Sequence, residues 1–173
     1  MTATRDFKKK IPAESGMGYG KMPPQSKDLE EAVLGAILLV KSAFDTVAEI
    51  LKPESFYTDA HQRIFKAMVI LASNNMPIDL LTVVERLKTD GDIELVGGPY
   101  YIAKLTNAVV SSANIETHAK LIQEKFILRE LIRISSEIIT RAYDEEQDVF
   151  DTQSFSDISI STLVTSGENK AIE

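Results

Sequence analysis

The chain has 173 residues, 44% of them hydrophobic, with no Cys, no Trp and a formal net charge of −7. That length allows one domain with its own core, while zero Cys excludes disulfides, thiolate nucleophiles and sulfur-ligated zinc. The acidic balance opposes a duplex-binding body, which needs a basic patch to neutralise phosphates.

Residues 1–22 read as a flexible extension. The opening MTATRDFKKK lacks the apolar segment of a signal peptide, and no run approaches the ~18 apolar residues of a membrane span. The chain therefore reads as cytoplasmic, with no membrane contact. The basic run Arg5, Lys8, Lys9 and Lys10 is a solvated tail first and a contact for an acidic surface second. SGMGYGKMPP, Ser15 to Pro24, superficially resembles a phosphate-binding loop. It fails the test of G-x-x-x-x-G-K-[ST]. Gly16 and Gly20 are one residue too close, Met22 stands where a magnesium-binding hydroxyl belongs, and no apolar strand precedes it. Pro23 and Pro24 disfavour the helix whose N-terminus would hold the anion.

Residues 23–110 carry helical periods separated by short breaks. SKDLEEAVLGAILLV offers Ser26 as N-cap, acidic residues in its first turns, and Leu29, Val33, Leu34, Ile37 and Leu38 as a core face. SAFDTVAEIL opens with a capping-box pattern, Ser42 with Asp45. TDAHQRIFKAMVILASNN places Ile64, Phe65, Met68, Val69 and Leu71 on one broad face and ends at Asn74–Asn75. PIDLLTVVERL starts at Asp79 and turns Leu80, Val83, Val84 and Leu87 inward. VGGPYYIAKLTNAV puts Pro99 at the first helical position. No strand is indicated. The expected fold class is all-α, a compact multi-helix globule.

Residues 111–165 change scale. From Ala113 to Tyr143 there is neither Pro nor Gly, and the helical period does not lapse; Ser111 or Ser112 would cap it. Ile127, Leu131, Ile134 and Ile138 form one apolar row, with Leu128, Ile132, Ile139 and Ala142 beside it. Arg129, Arg133, Glu137, Thr140 and Arg141 form a polar stripe. The apolar face is wider than one helix contact requires. Val149, Phe150, Phe155, Ile158 and Leu163 suggest a returning arm, completing a helical hairpin. Two arrangements satisfy the surplus: the rod folds down on its own body, or copies pair through it. Residues 166–173 read as a tail or the start of a linker.

Local chemistry is sparse. His61 and His118 belong to no metal-binding spacing; each reads as a hydrogen-bonding residue in the first turns of its helix. An Asp59–His61–Ser55 triad can be drawn but nothing local fixes it. Glu30/Glu31 and Glu145/Glu146 read as solvated acids, and Val96–Pro99 as a tight turn. No catalytic, cofactor or metal residues are assigned.

The blocks MPPQSKDLEEAVLGAIL, ILKPESFYTDAHQRIFKAM, PIDLLTVVERLK, LVGGPYYIAKLTNAV, SSANIETHAKLIQEKFILRELIRISSEI and AYDEEQDV, from Met22 to Val149, resemble in order and spacing the N-terminal domain of the bacterial replicative DNA helicase, the DnaB family, in Bacteroidetes-like form. The resemblance implies a helical globule followed by a long hairpin. It implies hairpins that pair between subunits, assembling as a trimer of dimers above a hexameric motor ring. It also implies docking of the primase C-terminal domain, with a helicase loader as a further partner. ATP, magnesium and most DNA contact belong to a motor domain reached through a linker. This chain shows no Walker motif or arginine finger, so it reads as a cut fragment or a short relative.

The function expected is thus a non-catalytic assembly and primase-docking domain. The pattern nominates Phe126, Ile127, Leu131, Ile134 and Ile138 as apolar contacts within and between subunits, and Arg129, Arg133 and Arg141 for partner docking. The returning arm, rich in Ser and Thr, should be the weaker half of the hairpin. The rival readings are a helix-turn-helix regulator using Asp79–Lys88 and Pro99–Val109, an ATP-using enzyme, and a free-standing modulator of a helicase ring.

Overall fold

A computed structural model describes residues 21–108, 114–143 and 149–168. Among them are seven α-helices, one 3₁₀ turn and no strand. α1 (Lys27–Leu39), α2 (Ala43–Ala48), the 3₁₀ turn (Pro53–Ser55), α3 (Asp59–Ser73), α4 (Leu80–Asp90) and α5 (Gly98–Asn107) build the globule. α6 (Ile115–Ala142) begins against it, runs on beyond it, and is met by the returning α7 (Val149–Glu168).

The apolar periods become the core. Val33, Leu34 and Ile37 of α1, Phe44 and Val47 of α2, and Ile64, Phe65 and Met68 of α3 are buried. Val83 and Leu87 of α4 and Ile102 and Leu105 of α5 close that core. Phe56 packs between these layers, its ring 5.0 Å from that of Phe65. Each such side chain removes enough apolar surface from water to stabilise the fold by roughly 1.5–3 kcal/mol. Val69 departs from its expected place and lies at the solvent edge of α3.

Helix ends follow local chemistry unevenly. The helix expected to start at Asp79 begins one residue later, with Asp79 as its N-cap: its carboxylate accepts Leu81 and Thr82 N–H, each at 2.9 Å, and Thr82 Oγ1 accepts the Asp79 N–H. These bonds, led by that from Thr82, hold the Asp79 carboxyl below its ordinary pKa. Asn74 ends α3, and Asn75 takes the left-handed φ of 54°. Ser26 and Ser42 occupy N-cap positions but neither side chain makes a cap bond, so the expected Ser42 box is absent. Ser42 has αR dihedrals, which aim its hydroxyl away from the N–H groups that a cap would meet. Pro99 is the second helical residue rather than the first, because Gly98 begins α5. Gly97, at φ 93°, permits that turn; a Cβ there would lie 3.1 Å from Tyr101 Cβ. The Ser111/Ser112 cap and the extension through residue 20 fall outside the described residues, and Asn114 occupies the N-cap of α6.

Candidate protein–protein interface

α6 is two helices in function. Its first turns bury Ile115, Ala119 and Ile122 in the globule core. Its later turns meet α7. There Ile134 is 4% exposed, Ile127 and Ile138 are half-buried, and the Arg141 guanidinium lies 3.9 Å above the Phe155 ring. α7 turns Thr152, Phe155, Ser156 and Ser159 inward while Phe150 and Ile158 stay 76% and 66% exposed. The side chains of Val149 and Leu163 lie outside the described residues.

The opposite side of α6 carries the surplus. Leu121, Leu128, Ile132 and Ile139 are all exposed, Ile132 to 54%. At about 100° per residue they form one stripe roughly 140° around the helix from Ile134. The 7-4-7 spacing over 18 residues gives a seam about 27 Å long at 1.5 Å per residue, of the kind that packs against another helix. Leu131 sits at its border, also exposed. The row nominated from the pattern is therefore divided: Ile134 is spent within the chain, while Leu131 and the second row face solvent.

The three nominated arginines are all engaged. Arg129 donates to Pro24 O at 2.9 Å and Ser55 O at 2.7 Å. Arg133 pairs with Glu130 and Glu137, and Arg141 with Glu137. Phe126 is half-buried under Arg129, 5.7 Å from its guanidinium carbon.

The remaining polar cluster is internal. Glu30 and His61 are each 1% exposed, which overturns the expectation of a solvated Glu30. The Glu30 carboxylate accepts Tyr57 N–H at 2.6 Å and Thr58 N–H at 3.4 Å, and meets His61 Nδ1 at 2.6 Å. His61 Nε2 faces the Tyr101 hydroxyl at 2.7 Å, which donates to Glu31 at 3.3 Å. Burial first, then the Glu31 charge, pushes the Tyr101 phenol up to about 12. The paper triad is absent: Asp59 pairs with Arg63, and Ser55 Oγ donates to Gln123. Asp59 and His61 share the first turn of α3 but meet different partners, and Ser55 lies on the 3₁₀ turn, bonded to α6. This network joins α1, α3 and α5, with Glu30 and His61 buried at its centre.

A family model for the DnaB-like helicase N-terminal domain matches residues 22–124. This chain belongs to that family. It is 46% identical over 132 residues to the replicative DNA helicase DnaB of Rhodothermus marinus, covering 76% of this chain and 14% of that protein. It is 43% identical over 131 residues to the replicative DNA helicase DnaC of Bacillus subtilis, covering 76% and 29%. The chain thus spans under a third of the length of these relatives. Among solved structures, the N-terminal domain of DnaB helicase from Mycobacterium tuberculosis superposes with a TM-score of 0.77 at 32% identity, covering 82% of this chain and 99% of that one. A DnaB-like replicative helicase described with its primase interactions shares the fold, with a TM-score of 0.66 at 23% identity over 82% of this chain and 31% of that one. The DnaB-type domain displaces the helix-turn-helix reading, and no described helix is long and apolar enough to cross a membrane.

Proposed function

We propose that this chain is the non-catalytic assembly and docking domain of a replicative DNA helicase. The observation that carries the proposal is the solvent-facing Leu121–Leu128–Ile132–Ile139 stripe on a rod whose other side is already used by α7. A second copy laid along this seam removes both stripes from water, and within a full-length helicase such pairs form a trimer of dimers. The primase described with one structural neighbour is the partner proposed for this domain, through its C-terminal domain, with a loader as a further partner. Arg133, the most exposed of the three nominated arginines, is the candidate docking cation. Unwinding, ATP and magnesium belong to a motor domain elsewhere in such a helicase, and a net charge of −7 supports little direct DNA contact. A cytoplasmic location fits that role.

The test is molar mass by light scattering. The parent chain should be heavier than one copy at micromolar concentration. Ile132→Glu with Ile139→Glu should return single-copy mass with unchanged helical circular dichroism. An equal mass for the double variant, or a strictly single-copy parent, defeats the proposal. Adding a primase C-terminal domain should raise the parent mass further, while labelled ATP with magnesium should not bind.

A further inference from the structure

α6 leaves the globule between Ile122, in the core, and Ile134, against α7. The polar hold nearest that exit is Arg129. Its two donors reach main-chain carbonyls on separate segments, Pro24 ahead of α1 and Ser55 at the end of the 3₁₀ turn. Its guanidinium carbon lies 5.6 Å from the Tyr57 ring and 5.7 Å from the Phe126 ring. The same short segment is gripped from the other side, where Glu30 accepts the Tyr57 and Thr58 N–H groups. Nearly two turns earlier on α6, Gln123 accepts from Ser55 Oγ.

We infer that Arg129 is the positioning residue that sets the angle at which the hairpin leaves the globule. Residues 55–58 are a wedge clamped between α1 and α6, and the planar fork of Arg129 closes the clamp. An ammonium has three donors on one freely rotating nitrogen, so it does not reproduce two bonds from separate nitrogens held in one plane. Burial holds the Arg129 pKa below its ordinary value, yet a guanidinium stays charged, so the clasp does not open with physiological pH. The angle decides where the α6 stripe points, whatever partner meets it. The inference goes beyond the assembly role and does not require it.

The experiment measures that angle in the whole chain. The protein has no Cys, so Lys66→Cys on α3 and Thr140→Cys on α6, both exposed, accept one spin label each. Labelled chains are diluted into excess unlabelled chain, and the intramolecular distance distribution is read by pulsed electron resonance. The parent should give one narrow distance. Arg129→Ala should broaden it about twofold, as expected when a fixed joint becomes a hinge, with helical circular dichroism unchanged. Arg129→Lys, which keeps the charge and the stem, should broaden it too and decides the matter if the alanine variant does not fold. A distribution as narrow and as centred as the parent's in a folded Arg129 variant overturns the inference, whether or not copies pair.

Discussion

The first turns of α6 and its later turns draw on the same aliphatic residues and end in opposite surroundings. Ile122 is buried to 2% exposure among α1, α2 and the 3₁₀ turn, while Ile139, seventeen residues on, faces solvent. The globule supplies several layers around the rod's beginning; further out a single arm, rich in Ser and Thr, covers one side only. An apolar residue on a helix is therefore no statement about a core until the number of neighbouring elements is known. Among the described residues, the start of α6 is enclosed by several elements, while its later turns leave a row of apolar side chains open to solvent.

That contrast can be broken from the largest effect downward. Glu30→Leu strips three donors of their buried acceptor and should destabilise the globule by roughly 3–5 kcal/mol, read by denaturant unfolding. A loss under about 1 kcal/mol would show that the internal network is not a structural keystone. Next come matched truncations along one helix. Ile122→Ala should cost about 3 kcal/mol, and Ile139→Ala, measured at a dilution where copies separate, should stay within about 0.5 kcal/mol. Equal costs would erase the distinction between the two ends of α6.

Asp79→Ala should cost about 1 kcal/mol through the lost cap. Because the folded Asp79 carboxyl lies below its ordinary 3.8, that contribution is present above about pH 4 and disappears as the pH falls below it. Parent and variant unfolding curves should converge there, and a constant gap down to pH 2 would contradict the cap assignment. Tyr101→Phe should be milder still, at most about 1 kcal/mol. The Tyr101 phenol is raised from 10.0 to about 12, so its contribution is complete below pH 10 and is lost as the pH rises toward 12. The stability gap between parent and Tyr101→Phe should narrow across that window, as followed by tyrosinate absorbance together with unfolding.

Much of the fold was legible because its signals are local. The 3.6-residue spacing of Val33, Leu34 and Ile37, the helix start at Asp79 and the unbroken run through α6 follow from residues within a turn or two of one another. The family resemblance drew on blocks spread along the same chain. The candidate interface was only half legible: periodicity showed two apolar rows on α6 but could not say which of them α7 would take. Glu30 was misread because acidic residues at a helix start are usually solvated, and its partners are 27 to 31 residues away in sequence. A sharper signal was at hand, since Glu30 shares a face of α1 with Val33, Leu34 and Ile37 at i+3, i+4 and i+7.

Helix positions, the all-α class and the excess of aliphatic residues on the long rod were determined by sequence alone, since backbone hydrogen bonding and apolar periodicity act over a few residues. Only the tertiary structure decided that Ile134 is covered, that Ile132 is open, and that Arg129 grips Pro24 and Ser55. Those outcomes depend on which elements arrive beside a helix and from which side, and chain segments as much as 105 residues apart meet there.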